Sequence, residues 1–191
     1  MFNKNYFVYA AVAIACGAGG AWVNDRQEQA AAASAGAAKA APAHSAHAAP
    51  LAAPVAALFG QQLKDAKGVD QALAQWQGKG LVVNFWATWC GPCVEEMPEL
   101  SALQAENKGK NLQIIGIGID SPSNIAEFAE KHKIAYPVYV GGMSGTDLSR
   151  QLGNGHGGLP FTVLIGADGQ VKKTYLGRLK FDELRADLAS M

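Results

Sequence analysis

Asn84-Phe85-Trp86-Ala87-Thr88-Trp89-Cys90-Gly91-Pro92-Cys93 carries the apolar run that begins at Leu81 directly into two cysteines separated by two residues. A short, nearly continuous apolar run of this kind suits a strand buried on both faces. Pro92 has a fixed φ suited to a first helical turn, so a helix is expected to start at the pair. Its free N–H groups and positive dipole end would then face Cys90. That field favours thiolate over thiol. Two cysteines at this spacing close a small disulfide ring, and the second thiol can attack a mixed disulfide made by the first. The stretch therefore predicts a redox dithiol at a strand-to-helix junction.

The competing reading of a Cys-x-x-Cys pair is half of a zinc site, which needs two more ligands at comparable spacing. The third cysteine, Cys16, lies in the hydrophobic N-terminal segment, and no second Cys-x-x-Cys or His-x-x-x-His follows. We therefore expect no metal and no cofactor beyond a redox-active Cys90–Cys93 disulfide. His44 and His47 stand in an alanine-rich tract without cysteine or carboxylate company, and are expected to be solvated.

The 191 residues balance 16 basic against 16 acidic side chains, which leaves room for one ordinary domain and no bias towards nucleic acid. The charge is unevenly placed. Residues 5 to 24 carry none, with Lys4 ahead and Asp25 behind, so residues 1–25 read as a signal or membrane anchor. Three fates are open for this segment: an uncleaved anchor, a cleaved signal, or lipidation at Cys16 after Ala13-Ile14-Ala15. Each puts the domain outside the cytoplasm. Residues 26–57 are rich in alanine and interrupted by Gly36, Pro42, Pro50 and Pro54, the composition of a mobile tether. The patterned domain is expected over 58–191.

From Leu81 onward, strand and helix patterns alternate, which predicts an α/β class with a mixed sheet flanked by helices. Val94, Met97, Leu100 and Leu103 mark a helix after the cysteines, in which Pro98 predicts a kink. Leu112 to Ile119 reads as a second buried strand. Ser121-Pro122 then reads as the start of a helix with Ile125, Phe128, Ala129 and His132 on one face. A short strand is expected over Tyr136 to Val140 and a short helix over Thr146 to Leu152. Ala167-Asp168-Gly169 predicts a hairpin turn between Phe161–Ile165 and Val171–Leu176. Phe181, Leu184 and Leu188 mark a closing helix. His132 sits at the boundary of an apolar face, a packing position more than a catalytic one.

This order of elements resembles the thioredoxin fold over roughly residues 59 to 191. Within that superfamily, the run Asn84 to Pro98 and the run Gly158-Leu159-Pro160-Phe161-Thr162-Val163-Leu164-Ile165 are similar to the TlpA/ResA branch of extracytoplasmic thiol:disulfide oxidoreductases. The resemblance implies Cys90 as nucleophile and Cys93 as the buried resolving thiol. It implies a cis-proline at Pro160 facing the dithiol, leaving the Leu159 backbone free for an extended substrate segment; an ordinary trans proline starting an edge strand is the alternative. Trp89, Gly91 and Pro92 would complete the substrate-binding surface. Where thioredoxins proper carry a buried aspartate this chain has Asn84, which cannot take a proton. Glu96 falls three residues after the second cysteine, where ResA-like relatives hold a glutamate near the dithiol. It is the candidate for tuning the thiols and accepting the Cys93 proton, the alternative being a solvated helix glutamate like Glu95. His156, four residues before Pro160, is a candidate for stabilising a thiolate, with a solvated loop position as the more ordinary reading.

The family implies a reducing enzyme, N-terminally anchored on the periplasmic side of a bacterial inner membrane. It would act as a monomer on disulfide-containing exported proteins, with electrons from a membrane donor of the CcdA/DsbD type. Tasks of relatives include cytochrome c maturation and wider redox homeostasis, between which the sequence does not choose. A thiol peroxidase-like redoxin and a non-catalytic thioredoxin-fold binding module are the other classes in view.

Overall fold

The computed structural model describes residues 52–191. The expected anchor segment 1–25, Cys16, His44 and His47 all lie outside the described residues. In chain order the elements begin with α1 (Ala53–Phe59), β1 (Gln62–Asp65), β2 (Asp70–Ala72), a short 3-10 turn (Leu73–Trp76) and β3 (Gly80–Trp86). They continue with α2 (Gly91–Glu106), β4 (Leu112–Gly118), α3 (Pro122–His132) and β5 (Val138–Val140). The chain then forms α4 (Gly142–Gln151), β6 (Phe161–Ile165), β7 (Val171–Leu176) and α5 (Phe181–Ala189).

All seven residues of β3 are buried, as its apolar run requires of a central strand. It pairs with β4 in parallel and with β6 antiparallel, inside one mixed sheet of order β2-β1-β5-β4-β3-β6-β7. Side chains alternate between the two faces of a strand, and two separate cores follow from this. Leu81, Val83 and Phe85 join Val55 and Leu58 of α1 and Leu148 of α4. Val82 and Trp86 face the other way, with Met97, Leu100 and Leu103 of α2, Ile125 of α3 and Leu184 of α5. Asn84 is the one polar residue of β3, and by alternation it sits on the α2 face.

Several local expectations are met. Ser121 caps α3 by accepting from the Asn124 N–H at 3.2 Å, with Pro122 in the first turn. The β6–β7 hairpin turns at Gly169, whose φ of +73° suits glycine, and the Asp168 carboxylate accepts from the Gln170 N–H. α2 runs through Pro98 as one helix; the proline lacks the N–H that would bond the Val94 carbonyl. α4 starts at Gly142, four residues before the expected Thr146.

The larger difference is at the front of the domain. The expected tether 26–57 overlaps α1, whose Val55 and Leu58 are fully buried. Pro54 stands in the first turn of that helix, where its missing N–H costs nothing. β1 and β2, short strands that add a hairpin beyond β5, have no counterpart in the expected pattern. Their exposed charges, including the Lys64–Asp70 pair, suit the sheet edge they occupy.

If α1 belongs to the folded unit, Leu58→Ala destabilises the protein by about 2–5 kcal/mol, the usual range for a buried leucine. Urea unfolding of wild type and variant measures this, and a change below about 0.5 kcal/mol would return Ala53–Phe59 to the tether.

Candidate active site

Cys90 is the N-cap of α2 and is joined to Cys93 by a disulfide. Its sulfur accepts from the Cys93 N–H at 3.3 Å, so an unsatisfied donor of the first helical turn already points at it. Gly91 and Pro92 form the exposed first turn, and Trp89 beside them is 72% exposed. The two sulfurs differ in access: Cys90 retains 6% exposure and Cys93 none. The loop from β3 is held from below, where the Cys90 N–H donates to the Ala87 carbonyl and the Thr88 hydroxyl donates to Asp120. Burial pushes the Asp120 carboxyl up, but its bonds from Thr88, Ser121 and Asn124 together hold it below the usual range.

Glu96 lies one helical turn beyond Cys93, and it is fully buried rather than solvated. Its Oε1 accepts from Asn84 Nδ2 at 2.7 Å and its Oε2 from the Leu179 N–H at 2.9 Å. Asn84 Nδ2 also donates to Thr162 Oγ1 at 3.0 Å, across the register pair that joins β3 to β6. Burial raises the Glu96 pKa to about 7; the Leu179 and Asn84 bonds and the Arg178 charge oppose that rise, and Glu99 adds to it. A carboxyl group poised near neutral pH can both take and release a proton under physiological conditions. Arg178 itself pairs at 3.0 Å with Glu95, which is exposed as expected. Near the same carboxylate is the buried Tyr136 phenol, held far above its ordinary pKa by burial and by the Glu96 charge.

The Leu159–Pro160 peptide is cis. Leu159 is half-buried and packs against the cluster that contains Cys90 and Cys93. Among the described residues the Leu159 N–H and carbonyl take part in no backbone hydrogen bond. His156 is exposed on its glycine-rich loop, and His132 is exposed and stacked on Phe128 at 4.0 Å between ring centroids. Sequence reading missed Thr162, Tyr136 and the Leu179 backbone, none of which carries a local signal. Among the described residues no group of three His, Cys, Asp or Glu side chains is arranged to hold a metal ion.

The Redoxin family model matches residues 36–188, four-fifths of the chain. The chain belongs to the Redoxin family. It is 33% identical over 132 residues to the thiol-disulfide oxidoreductase ResA of Geobacillus thermodenitrificans, spanning 68% of this chain and 72% of that one. It superposes on a thioredoxin family thiol:disulfide interchange protein from Chlorobium tepidum with a TM-score of 0.62 at 23% identity, covering 68% and 91% of the two chains. Peroxiredoxin Q of Xanthomonas campestris gives a TM-score of 0.58 at 24% identity over 71% and 94%. The last two likenesses speak for the thioredoxin fold alone. The chain is thus a ResA-like thiol-disulfide oxidoreductase.

The pKa of Glu96 carries a stability signature. Its folded value, about 7, stands above the ordinary 4.5, so ionisation is costly in the folded state. The contribution is complete below pH 4.5 and is lost as pH rises through 7, by about 3 kcal/mol at 1.36 kcal/mol per unit. Chemical unfolding of the disulfide form between pH 4 and 8 should show that decline, and Glu96→Gln should flatten it. An equal slope in both proteins would mean that the carboxyl ionises without penalty.

Proposed function

We propose that this oxidoreductase works in the reducing direction, on disulfides of exported proteins, with Cys90 as nucleophile, Cys93 as resolving thiol and Glu96 as proton acceptor. The observation that carries the reading is the dithiol at the start of α2 with a buried carboxyl one turn behind its inaccessible member. In the reduced form the Cys90 thiolate attacks one sulfur of the substrate disulfide. The other substrate sulfur leaves as a thiolate and takes a proton from solvent, and a mixed disulfide remains on Cys90. Cys93 passes its proton to the Glu96 carboxylate and attacks the Cys90 sulfur. The Cys90–Cys93 bond closes as the bond from Cys90 to the substrate breaks, and the second substrate sulfur departs as a thiolate that takes a proton, while Glu96 returns its own to solvent. Two electrons have moved, from the dithiol to the substrate.

The surface around the dithiol supports an extended substrate segment. The free Leu159 backbone beside cis Pro160 offers one donor and one acceptor, and exposed Trp89, Gly91 and Pro92 flank the reacting sulfur. Gly91-Pro92 favours the reducing direction, because strong oxidants stabilise their thiolate much further. A reducing enzyme in an oxidising compartment must be recharged, which calls for a membrane donor of the CcdA/DsbD type. We further propose that residues 1–25 tether a monomer on the periplasmic side of the membrane. Among the described residues no helix is long and apolar enough to cross one.

In an insulin-reduction assay, Cys90→Ser should abolish turnover. Cys93→Ser should accumulate mixed disulfides with substrate, and Glu96→Gln should slow exchange by roughly 100-fold or more at pH 7 with a displaced pH profile. An unchanged profile would remove Glu96 from the proton path. Peroxide consumption faster than insulin reduction would favour the peroxidase alternative.

The potential of the couple tests the direction. A value near about −270 mV supports the reductant, and one near about −120 mV would make the protein a disulfide donor.

A further inference from the structure

Asn84, Glu96 and Thr162 are all fully buried, and the Asn84 amide is the hinge between the other two. Both bonds of this side chain leave from Nδ2, while its Oδ1 is buried with no partner among the described residues. That orientation matches an ionised Glu96, which only accepts hydrogen bonds. Once Glu96 takes a proton, one of its oxygens becomes a donor, and an amide N–H facing that hydroxyl is a mismatch.

We propose that the Asn84 side chain is a positioning residue whose amide reverses with the protonation of Glu96; the inference rests on Glu96 being the proton acceptor proposed above. With Glu96 protonated, the reversed amide presents Oδ1, which accepts from the Glu96 and Thr162 hydroxyls. Oxygen and nitrogen ends of an amide are nearly isosteric, so the reversal needs no displacement of the packed neighbours. Two bonds are made in either state, and the reversal gives up no bond to Oδ1, because none exists. The proton on Glu96 then meets an acceptor instead of a second donor, and the unpartnered end of the amide passes from Oδ1 to Nδ2.

Gly116 is the register partner of Asn84 on β4, and a Cβ there would lie 3.1 Å from Trp86 Nε1 and 3.2 Å from the Tyr136 ring. Trp86 Nε1 and the Tyr136 hydroxyl are themselves buried without hydrogen-bond partners among the described residues. Neither is hydrogen-bonded to Oδ1 in this orientation. The other charged or titratable groups about Glu96 are Glu99 on its own helix, Arg178 before α5, Tyr136 before β5 and the dithiol. None of these makes a hydrogen bond to the amide.

The test is a pH series on the full chain in detergent micelles, labelled with 15N-asparagine and 13C-glutamate, in the disulfide form. At pH 9 the Asn84 amide protons should show nuclear Overhauser contacts to Thr162, and at pH 5 these should give way to contacts with the Gly116 α-protons and the Tyr136 ring. The crossover should share its midpoint with the Glu96 carboxyl carbon. If that carbon titrates while the Asn84 contacts stay the same, the reversal is overturned and the Glu96 role stands. If the carbon does not titrate between pH 5 and 9, both fall.

Discussion

A carboxyl group shut away from water needs partners, and the need is met here by two distant pieces of chain. Glu96 of α2 takes an amide from β3 and a backbone N–H from the loop before α5. Apolar side chains such as Met97, Leu100 and Leu103 tolerate more than one seating of a helix on a sheet, because dispersion contacts have little direction. A buried carboxyl has few acceptable positions, since every unmet bond is costly in a low-dielectric interior. Seating α2 by Glu96 also seats Cys93 one turn earlier, at the inner end of the dithiol. The same group that specifies the docking is thus the group that stands beside the chemistry.

The two ends of the dithiol are built by opposite means. Cys90 caps a helix whose first turn is exposed, with Trp89 standing out beside it. Cys93 is covered on all sides and reaches no solvent. The first arrangement leaves room beside Cys90 for a bulky disulfide; the second shields the Cys93 sulfur from solvent. Beneath them the loop between β3 and the cysteines is braced by Asp120, two residues past β4, so it is tied to the segment that follows the parallel neighbour of β3.

How far the chain could be read depended on the range of the interactions involved. The run Leu81 to Cys93 and the turn at Asp168-Gly169 were legible because burial period, a first-turn proline and a turn glycine act between near neighbours in sequence. The first five residues of α1, 53–57, look like tether because alanine with interleaved Gly36, Pro42, Pro50 and Pro54 shows no large apolar face, although a proline in the first turn starts a helix as readily as it ends one. β1 and β2 were missed because short, charged edge strands lack the alternation that marks a half-buried one.

The sequence by itself determined the dithiol, its place at a strand-to-helix junction and the α/β class, since these follow from spacing and periodicity. Only the tertiary structure decided what surrounds Glu96. Asn84 is 12 residues away from it, Leu179 is 83 away, and Thr162 is 78 from Asn84. No local pattern encodes such meetings. They arise because β3, β6 and α2 pack around one core, and burial then turns an ordinary helix glutamate into an acid that titrates near neutrality.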